Sequence, residues 1–371
     1  MDKNKKVLFG IVAAVAVLCV VVALVVHRGG QTEKDKGVIK IGAILPLTGN
    51  ASDLGESTRK GIELCLENWN EKGGVLNRKL ESVFLDSKGE PKEGRMLANK
   101  LLSENTPLLV YTVVSGVALN VKEELEEKGV LHLACIGSSN LLESSSKHTL
   151  RNYISPQTLG QEVINALIDN FERKELIVFY VNNELGLSYK NAVVEAAKDK
   201  SVSIQASIPY EEESIDYRNV ILNSKIQNND VLYITGIGAS LGKIIKQIRE
   251  SGFYGTIVCD ANLLNNSAIT IAGQSLQNVY VLNFFLGEQR TEYRMVAEQY
   301  ENKFNSKIDV FALLAYQGVD SVLRFVETKK IADFHNLAEQ MEGFQVNGIM
   351  GEIRIQGKEI IYPLQLSEVA H

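Results

Sequence analysis

The chain has 371 residues, which is enough for two domains of ordinary size, each with its own hydrophobic core. Its formal net charge is −6, so no basic field favours binding to the phosphate backbone of a nucleic acid. Its four cysteines lie far apart in sequence and lack the close spacings of zinc sites and redox motifs.

The first 28 residues predict a membrane anchor or a signal segment. Three lysines precede residues 7–26, a run of 20 residues without a charged side chain, which is about the length that crosses a bilayer. Lysines on the N-terminal side favour export of the chain that follows. A cleaved signal peptide is the alternative, although its apolar core is usually shorter. Residues 29–37 are polar and glycine-rich, which predicts a linker between an anchor in the cytoplasmic membrane and a folded body outside the cytoplasm, in the periplasm or at the cell surface.

From Val38 onward, apolar runs of strand length alternate with helical patterns. The runs are continuous and rich in Val and Ile, which is typical of a parallel sheet covered by helices on both faces. The strand, helix, strand pattern occurs from about Val38 to Cys135 and again from about Leu176 to Asp260. The sequence therefore predicts an α/β protein with two doubly wound, Rossmann-like lobes. A ligand site is expected between them, beyond the carboxyl ends of the strands.

Motifs for catalysis or metal binding are lacking in the sequence. The five histidines form no HExxH or other metal-ligand spacing, and no GxSxG nucleophile elbow occurs. Residues 235–243 (TGIGASLGK) lie near both glycine-rich nucleotide fingerprints but match neither. We therefore predict no catalytic residue, no metal and no cofactor. Gly238 is interpreted as a turn glycine that lets the backbone approach a ligand or the opposite lobe.

Short hydroxyl side chains and backbone amides follow two predicted strands of the first lobe. Ser115 and Gly116 follow one strand, and Gly137, Ser138 and Ser139 follow the next. Because a strand-to-helix turn exposes N–H groups at a helix N-terminus, these turns could bind a carboxylate without a basic residue. The alternative is that the serines only cap their helices.

Across the predicted cleft, Asp260 ends a strand of the second lobe. A carboxylate at this place could bind an ammonium group, so the two lobes together would suit a zwitterion. By itself, Asp260 could equally cap the helix that follows it.

Four segments carry a resemblance to a known family. They are IKIGAILPLTG and its continuation to EPKEG, GVLHLACIGSSNLLE, DVLYITGIGASLGKIIKQIRE, and AYQGVD. Their order and spacing resemble the type I periplasmic binding proteins of the leucine/isoleucine/valine receptor class, over nearly everything from Val38 onward.

The resemblance implies roles for the residues at the strand ends. It implies that Ser115 and Ser138, with neighbouring main-chain groups, bind the carboxylate of an amino acid and that Asp260 binds its ammonium group. Leu54 and Leu185 stand where the receptor has two tyrosines against the ligand. This departure leaves open whether the ligand is a different amino acid, a small amide or another short carboxylate.

The resemblance also implies that the chain crosses between the lobes three times, near residues 153–156, 282–284 and 347–351. Each lobe is then discontinuous in sequence. Lobe 1 is expected to comprise residues 38–154 and 284–347, and lobe 2 residues 155–283 and 348–371.

These expectations describe a binding protein rather than an enzyme. The family resemblance implies capture of a small amino-acid-like ligand by hinge closure and its delivery to an ABC permease in the membrane. The alternative is a membrane-tethered sensor that reports ligand to a regulatory or envelope partner. Only six residues precede the apolar run, too few for a cytoplasmic output domain.

Overall fold

The computed structural model describes residues 37–104, 106–135, 146–284 and 288–369. The predicted anchor, residues 1–28, and all of the predicted linker except Gly37 lie outside these ranges. Within the ranges, no helix combines the length and the apolar character needed to cross a membrane.

The described residues form two sheets and the helices that cover them. The strands are β1 (Ile39–Leu45), β2 (Leu80–Asp86), β3 (Leu109–Thr112), β4 (Leu131–Ala134), β5 (Thr149–Arg151), β6 (Glu175–Val181), β7 (Ser203–Tyr210), β8 (Val231–Thr235), β9 (Thr256–Asp260), β10 (Val279–Phe284), β11 (Gln345–Gly348), β12 (Gly351–Gln356), β13 (Glu359–Ile361) and β14 (Leu364–Glu368). The α-helices are α1 (Ser52–Glu71), α2 (Pro91–Glu104), α3 (Ser115–Lys128), α4 (Pro156–Asp169), α5 (Glu184–Asp199), α6 (Arg218–Ser224), α7 (Gly238–Glu250), α8 (Asn266–Ala272), α9 (Thr291–Phe304), α10 (Val310–Lys329) and α11 (Leu337–Gln340).

Both sheets contain the same doubly wound order of five parallel strands. The first sheet runs β2-β1-β3-β4-β5, and the second runs β7-β6-β8-β9-β10. The strand order therefore reverses between β1 and β3 in one lobe and between β6 and β8 in the other. The prediction of an α/β protein with two doubly wound lobes is confirmed.

The edges of the sheets are mixed rather than purely parallel. β13 extends the first sheet next to β5, and β12 and β11 follow it as antiparallel strands. β14 pairs antiparallel with β10 at the edge of the second sheet. Continuous apolar runs predict β1 to β4 and β6 to β10, but they predict neither the short strand β5 nor these late edge strands.

The position of the third crossing differs from the sequence prediction. β12 and β13 pair within the first sheet, and only β14 joins the second. The chain therefore crosses between Ile361 and Leu364, and the predicted crossing at residues 347–351 is wrong. Residues 348–361, which were expected in lobe 2, belong to lobe 1. The physical reason is that an antiparallel edge strand needs only one covered face, so its sequence does not specify which sheet it joins.

Burial explains why the central strands have continuous apolar sequences. All residues of β3 and of β8 are buried, because helices cover both faces of each sheet. β7, at the edge of the second sheet, instead alternates between exposed and partly buried residues until Tyr210. These patterns correspond to strand positions in the middle and at the edge of a sheet.

Aromatic side chains from the three crossings meet in one buried group, which we call the hinge cluster: Tyr153, Phe284 and Tyr362. The Phe284 ring contacts both tyrosine rings edge to face, with centroids 5.4 Å from Tyr153 and 5.2 Å from Tyr362. The Tyr362 hydroxyl donates to Asn152 Oδ1 at 2.5 Å. All three connections between the lobes are therefore held together by side-chain contacts.

We predict that Gly61→Ala destabilises lobe 1. Helices α1 and α10 pack so closely that a β-carbon at Gly61 would lie 2.2 Å from the carbonyl oxygen of Ala312. Because both helices are in the core, the backbone must shift, and we expect the free energy of unfolding to fall by about 2 to 3 kcal/mol. Glu71→Ala, at an exposed position near the end of α1, is the control in the same denaturant titration. Equal stability of the two variants would contradict this packing.

Candidate ligand-binding cleft

A cleft of about 1080 Å³ lies between the two lobes. In lobe 1 it is lined by the residues that follow β1, β2 and β3 and by Cys135 after β4. In lobe 2 it is lined by the residues that follow β6, β7, β8 and β9. The carboxyl ends of both sets of parallel strands therefore face one space, and this is the edge at which the sequence predicts a ligand site.

Several predicted site residues occupy equivalent positions in the two lobes. Leu54 and Leu185 follow the first strand of their sheets, and both line the cleft. Ser115 and Gly116 follow the third strand of lobe 1 and also line the cleft. Gly238 follows the third strand of lobe 2. The first and third strands flank the point where the strand order reverses, which is where doubly wound sheets bind ligands.

A glycine next to each leucine allows it to reach the cleft. A β-carbon at Gly55 would lie 2.1 Å from the Pro46 carbonyl oxygen, and one at Gly186 would lie 1.9 Å from the Val181 carbonyl oxygen. Each helix thus begins with its backbone pressed against the end of the preceding strand. Only glycine permits this approach in either lobe.

Gly238 lines a smaller cavity of about 110 Å³, which shares several lining residues with the cleft. Its φ angle is +49°, in the left-handed region that favours glycine. A β-carbon there would lie 3.5 Å from Asp53 Oδ2 in lobe 1. The turn therefore approaches the opposite lobe, which is one of the two roles expected for this glycine.

Ser115 is the first residue of α3 and is mostly buried against the cleft. Val114 occupies the cap position and has an extended backbone, and no side chain among the described residues caps the helix. Ser115 therefore does not cap α3. Its hydroxyl group and the first N–H groups of this 14-residue helix therefore lie at the cleft without a capping side chain from the described part of the protein.

Gly137, Ser138 and Ser139 lie outside the described residues, and their part in the site stays a prediction. The strand before them, β4, lies beside β3, and Cys135 at its end lines the cleft.

Asp86 at the end of β2 holds the first-lobe side of the cleft together. Its carboxylate accepts hydrogen bonds from the backbone N–H groups of Leu47, Thr48 and Lys88 at 2.9, 3.2 and 2.9 Å, and from the Thr48 hydroxyl at 2.6 Å. Burial opposes ionisation of Asp86, but these hydrogen bonds outweigh it and lower the pKa of the carboxyl group. The loops after β1 and β2 are thereby fixed to each other.

Asp260 is fully buried at the end of β9 and is not among the cleft-lining residues. Its Oδ1 accepts from the backbone N–H of Asn262 at 2.9 Å and caps the 3-10 turn Ala261–Leu264, and its Oδ2 accepts from the Tyr233 hydroxyl at 3.3 Å. Burial raises the pKa of Asp260 to about 6, against the lowering effect of its hydrogen bonds. Among the described residues no cation forms an ion pair with it.

Asn262 is the residue of this turn that reaches the cleft. Its Oδ1 accepts a hydrogen bond of 2.9 Å from the hydroxyl of Tyr153, which also lines the cleft and belongs to the hinge cluster. Its Nδ2 is buried and has no hydrogen-bond partner among the described residues. The turn after β9 is thus linked directly to the hinge.

Sequence reasoning did not identify Asn262, Tyr153 or three consecutive glutamates, Glu211 to Glu213, although all of them line the cleft. The glutamates were recognisable as a charged run directly after a predicted strand. Asn262 and Tyr153 carry no motif, and only the meeting of the two lobes places them together.

Most of the sequence matches one protein family and several known proteins. The family model described as periplasmic binding protein matches residues 38–369. A protein named Leu/Ile/Val-binding protein homolog 3, from Brucella melitensis, is 23% identical over 290 residues, which are 78% of this chain and 78% of that protein.

Solved structures with the same fold include a leucine binding protein from Thermotoga maritima. It has a TM-score of 0.80 and 22% identity, and the match covers 90% of this chain and 95% of that one. A solute binding protein from R. palustris in complex with benzoate has a TM-score of 0.78 and 18% identity, with 90% and 94% coverage. These structures have the same architecture as this chain.

We predict that Asp260→Asn stabilises the ligand-free protein at neutral pH but not in acid. Because the folded pKa, about 6, exceeds the ordinary value of 3.8, the folded state holds this proton more tightly than the unfolded state. The ionised carboxylate therefore destabilises the fold above pH 6, and this effect is lost as the pH falls from 6 to below 4. Asparagine should raise the free energy of unfolding at pH 7.5 by up to roughly 3 kcal/mol.

Denaturant unfolding of the wild type and the variant at pH 7.5 and at pH 4 measures this difference. A gain of the same size at both pH values would contradict the assignment of an uncompensated buried charge to Asp260.

Proposed function

The chain belongs to the periplasmic binding protein family, and from this premise we propose that it is an extracytoplasmic solute-binding protein for a small amino-acid-like ligand. The main support is the cleft itself, in which strand ends of both lobes face one space of about 1080 Å³. That volume is slightly above the range of about 300 to 1,000 Å³ that is typical of small-molecule sites. We propose no catalytic role, because the similar proteins are named for binding.

The first lobe supplies the groups for a ligand carboxylate. Ser115 and the N-terminus of α3 present a hydroxyl group and backbone N–H groups that no side chain of the helix caps. A negative charge at a helix N-terminus is stabilised by these donors and by the helix dipole. The family resemblance implies that three further residues belong to this half of the proposed site: Gly137, Ser138 and Ser139. The benzoate complex of a protein with this fold supports a carboxylate ligand.

The second lobe supplies the negative charge for an ammonium group. Asp260 is buried, its pKa of about 6 leaves the carboxyl group mostly ionised at neutral pH, and among the described residues only hydrogen bonds compensate its charge. A ligand ammonium near Asn262 would reduce the cost of that buried charge. Asn262, and not Asp260, lines the cleft. The Asp260 carboxylate therefore attracts the ligand ammonium through space across the 3-10 turn, or contacts it directly after this turn shifts on closure.

Hinge closure around the ligand follows from the same arrangement. The groups that bind the ligand carboxylate are on one lobe, and those that bind its ammonium are on the other. A zwitterion therefore gains both sets of contacts only when the lobes approach each other. Leu54 and Leu185 would then cover the ligand from opposite sides.

The proposed partner is an ABC permease in the membrane, to which the closed protein delivers its ligand. Similarity to proteins named for leucine, isoleucine and valine binding favours transport over the sensing role. We also propose that the N-terminal segment anchors the protein in the cytoplasmic membrane.

We predict that the full chain in detergent micelles binds a zwitterionic amino acid and that Ser115→Ala weakens this binding by roughly 1 to 3 kcal/mol, the cost of a lost buried hydrogen bond. Calorimetric titration with amino acids, amides and short carboxylates measures the affinities. Ser103→Ala, at an exposed position in α2, is the control. The proposal fails if no member of the panel binds.

We also predict that the ligand-loaded protein, purified from membranes of its native host under mild conditions, brings an ABC permease with it. The Ser115→Ala variant should recover less permease at the same ligand concentration, because less of it is closed. Recovery of a kinase, transducer or envelope enzyme in place of a permease would support the sensing role instead.

A further inference from the structure

Four glutamates of lobe 2 line one side of the cleft, and we call them the acidic rim: Glu184, Glu211, Glu212 and Glu213. Among the described residues that line this cleft, Lys88 in lobe 1 is the one basic side chain. The chain as a whole carries 39 basic and 45 acidic residues, so its average composition does not explain this local excess of acids.

The fold brings the acidic rim together at two neighbouring strand ends. β6 and β7 are adjacent and parallel, and the backbone N–H of Asn182 after β6 donates to the carbonyl of Tyr210 at the end of β7 at 2.8 Å. Glu184 begins the helix after β6, and the other three glutamates follow β7 directly. The carboxylates therefore lie at the cleft because of the strand register.

Two asparagines orient the carboxylates. Asn182 Nδ2 donates to Glu211 Oε1 at 2.9 Å, and Asn183 Nδ2 donates to Glu212 Oε2 at 2.8 Å. Asn183 Oδ1 accepts from the Gly186 N–H at the start of α5, which fixes the direction of its amide. Glu212 thus has a defined position, whereas a solvated surface glutamate generally has none.

The acidic rim is not neutralised by an ion pair among the described residues, although Lys243 lines the smaller cavity together with Glu212 and Glu213. In the described part of the chain, no ion pair involves any of its four glutamates. Burial raises the pKa of Glu212, and the neighbouring Glu213 raises it further, although the hydrogen bond from Asn183 acts in the opposite direction. A cation entering the cleft would relieve this repulsion.

A second, independent feature of the cleft indicates a ligand. Asn262 is 3% exposed, lines the same cleft, and has a buried Nδ2 without a hydrogen-bond partner among the described residues. A buried amide donor without a partner is costly unless a ligand supplies an acceptor. The cleft therefore offers donors at Asn262 and Ser115 and acceptors at the acidic rim.

We infer that the ligand carries a cationic side chain, an ammonium or guanidinium group, and that the acidic rim binds this group while the α-amino-acid end lies between Ser115 and Asn262, with its carboxylate at Ser115. This inference rests on the proposed function, because it takes the cleft as the ligand site. It narrows the substrate class from amino-acid-like compounds to basic amino acids and their close derivatives.

Matched pairs of ligands test the inference on the full chain in detergent micelles. L-arginine is compared with L-citrulline, and L-lysine with L-norleucine, because each pair differs mainly in the side-chain charge. In each pair we expect the cationic member to bind at least about tenfold more tightly than the neutral one. A tenfold ratio in affinity is the effect expected of one well-placed charge contact. L-leucine is titrated as a further neutral amino acid.

The variant is the double substitution Glu211→Gln with Glu212→Gln, which removes two charges and keeps side chains of similar shape. We expect it to lose about tenfold in affinity for arginine and to bind citrulline as the wild type does. Unchanged citrulline binding also shows that the variant is folded. Glu175→Gln, at the exposed opposite end of β6, is the matched control and should leave both affinities unchanged.

Each outcome decides the question. Tight binding of leucine or norleucine with weak binding of lysine and arginine overturns the inference and leaves the proposed function intact. Equal losses of affinity for arginine and citrulline in the double variant also overturn it. The acidic rim would then support closure of the lobes, for example by attracting Lys88 of lobe 1, rather than bind the ligand side chain. If no amino acid binds at all, the proposed function and the inference fail together.

Discussion

The arrangement of the cleft depends on the buried contacts at which the three connections between the lobes meet. Phe284 lies between Tyr153 and Tyr362, so each connection contributes one ring to the hinge cluster. Tyr153 also lines the cleft and donates to Asn262. Any rotation of the lobes must therefore preserve or exchange contacts of the Tyr153 side chain. A ligand bound at Asn262, as proposed, would act directly on the hinge cluster.

The two lobes have the same strand order but differ in chemistry at equivalent strand ends. After the third strand, lobe 1 has Ser115 at an uncapped helix N-terminus, whereas lobe 2 has Gly238 against the opposite lobe. After the second strand, lobe 1 has Lys88 and Glu90, and lobe 2 has three glutamates. Lobe 2 therefore presents more carboxylates to the cleft than lobe 1 does, which supports the proposal of a ligand with separated charges.

Sequence patterns predicted the central strands well and the late strands poorly. A continuous apolar run such as β8 is buried on both faces, so it has few possible positions other than the middle of a covered sheet. β12 instead alternates between buried and exposed residues, and this pattern suits the edge of either lobe. The third crossing was misplaced for this reason, since only the pairing of β13 with β5 assigns these strands to lobe 1.

The sequence by itself determined the fold class and the order of strand ends, and hence that Ser115 lies at the cleft edge of its sheet, whereas Leu54 and Leu185 were expected there from the family resemblance. These features depend on local periodicity and on the rule that parallel strands end together. Only the tertiary structure decided which side chains meet across the lobes. Tyr153 contacts Asn262 over 109 positions of sequence, and Tyr362 contacts Asn152 over 210. Periodicity indicates that a face is buried, but it does not indicate which distant surface covers that face.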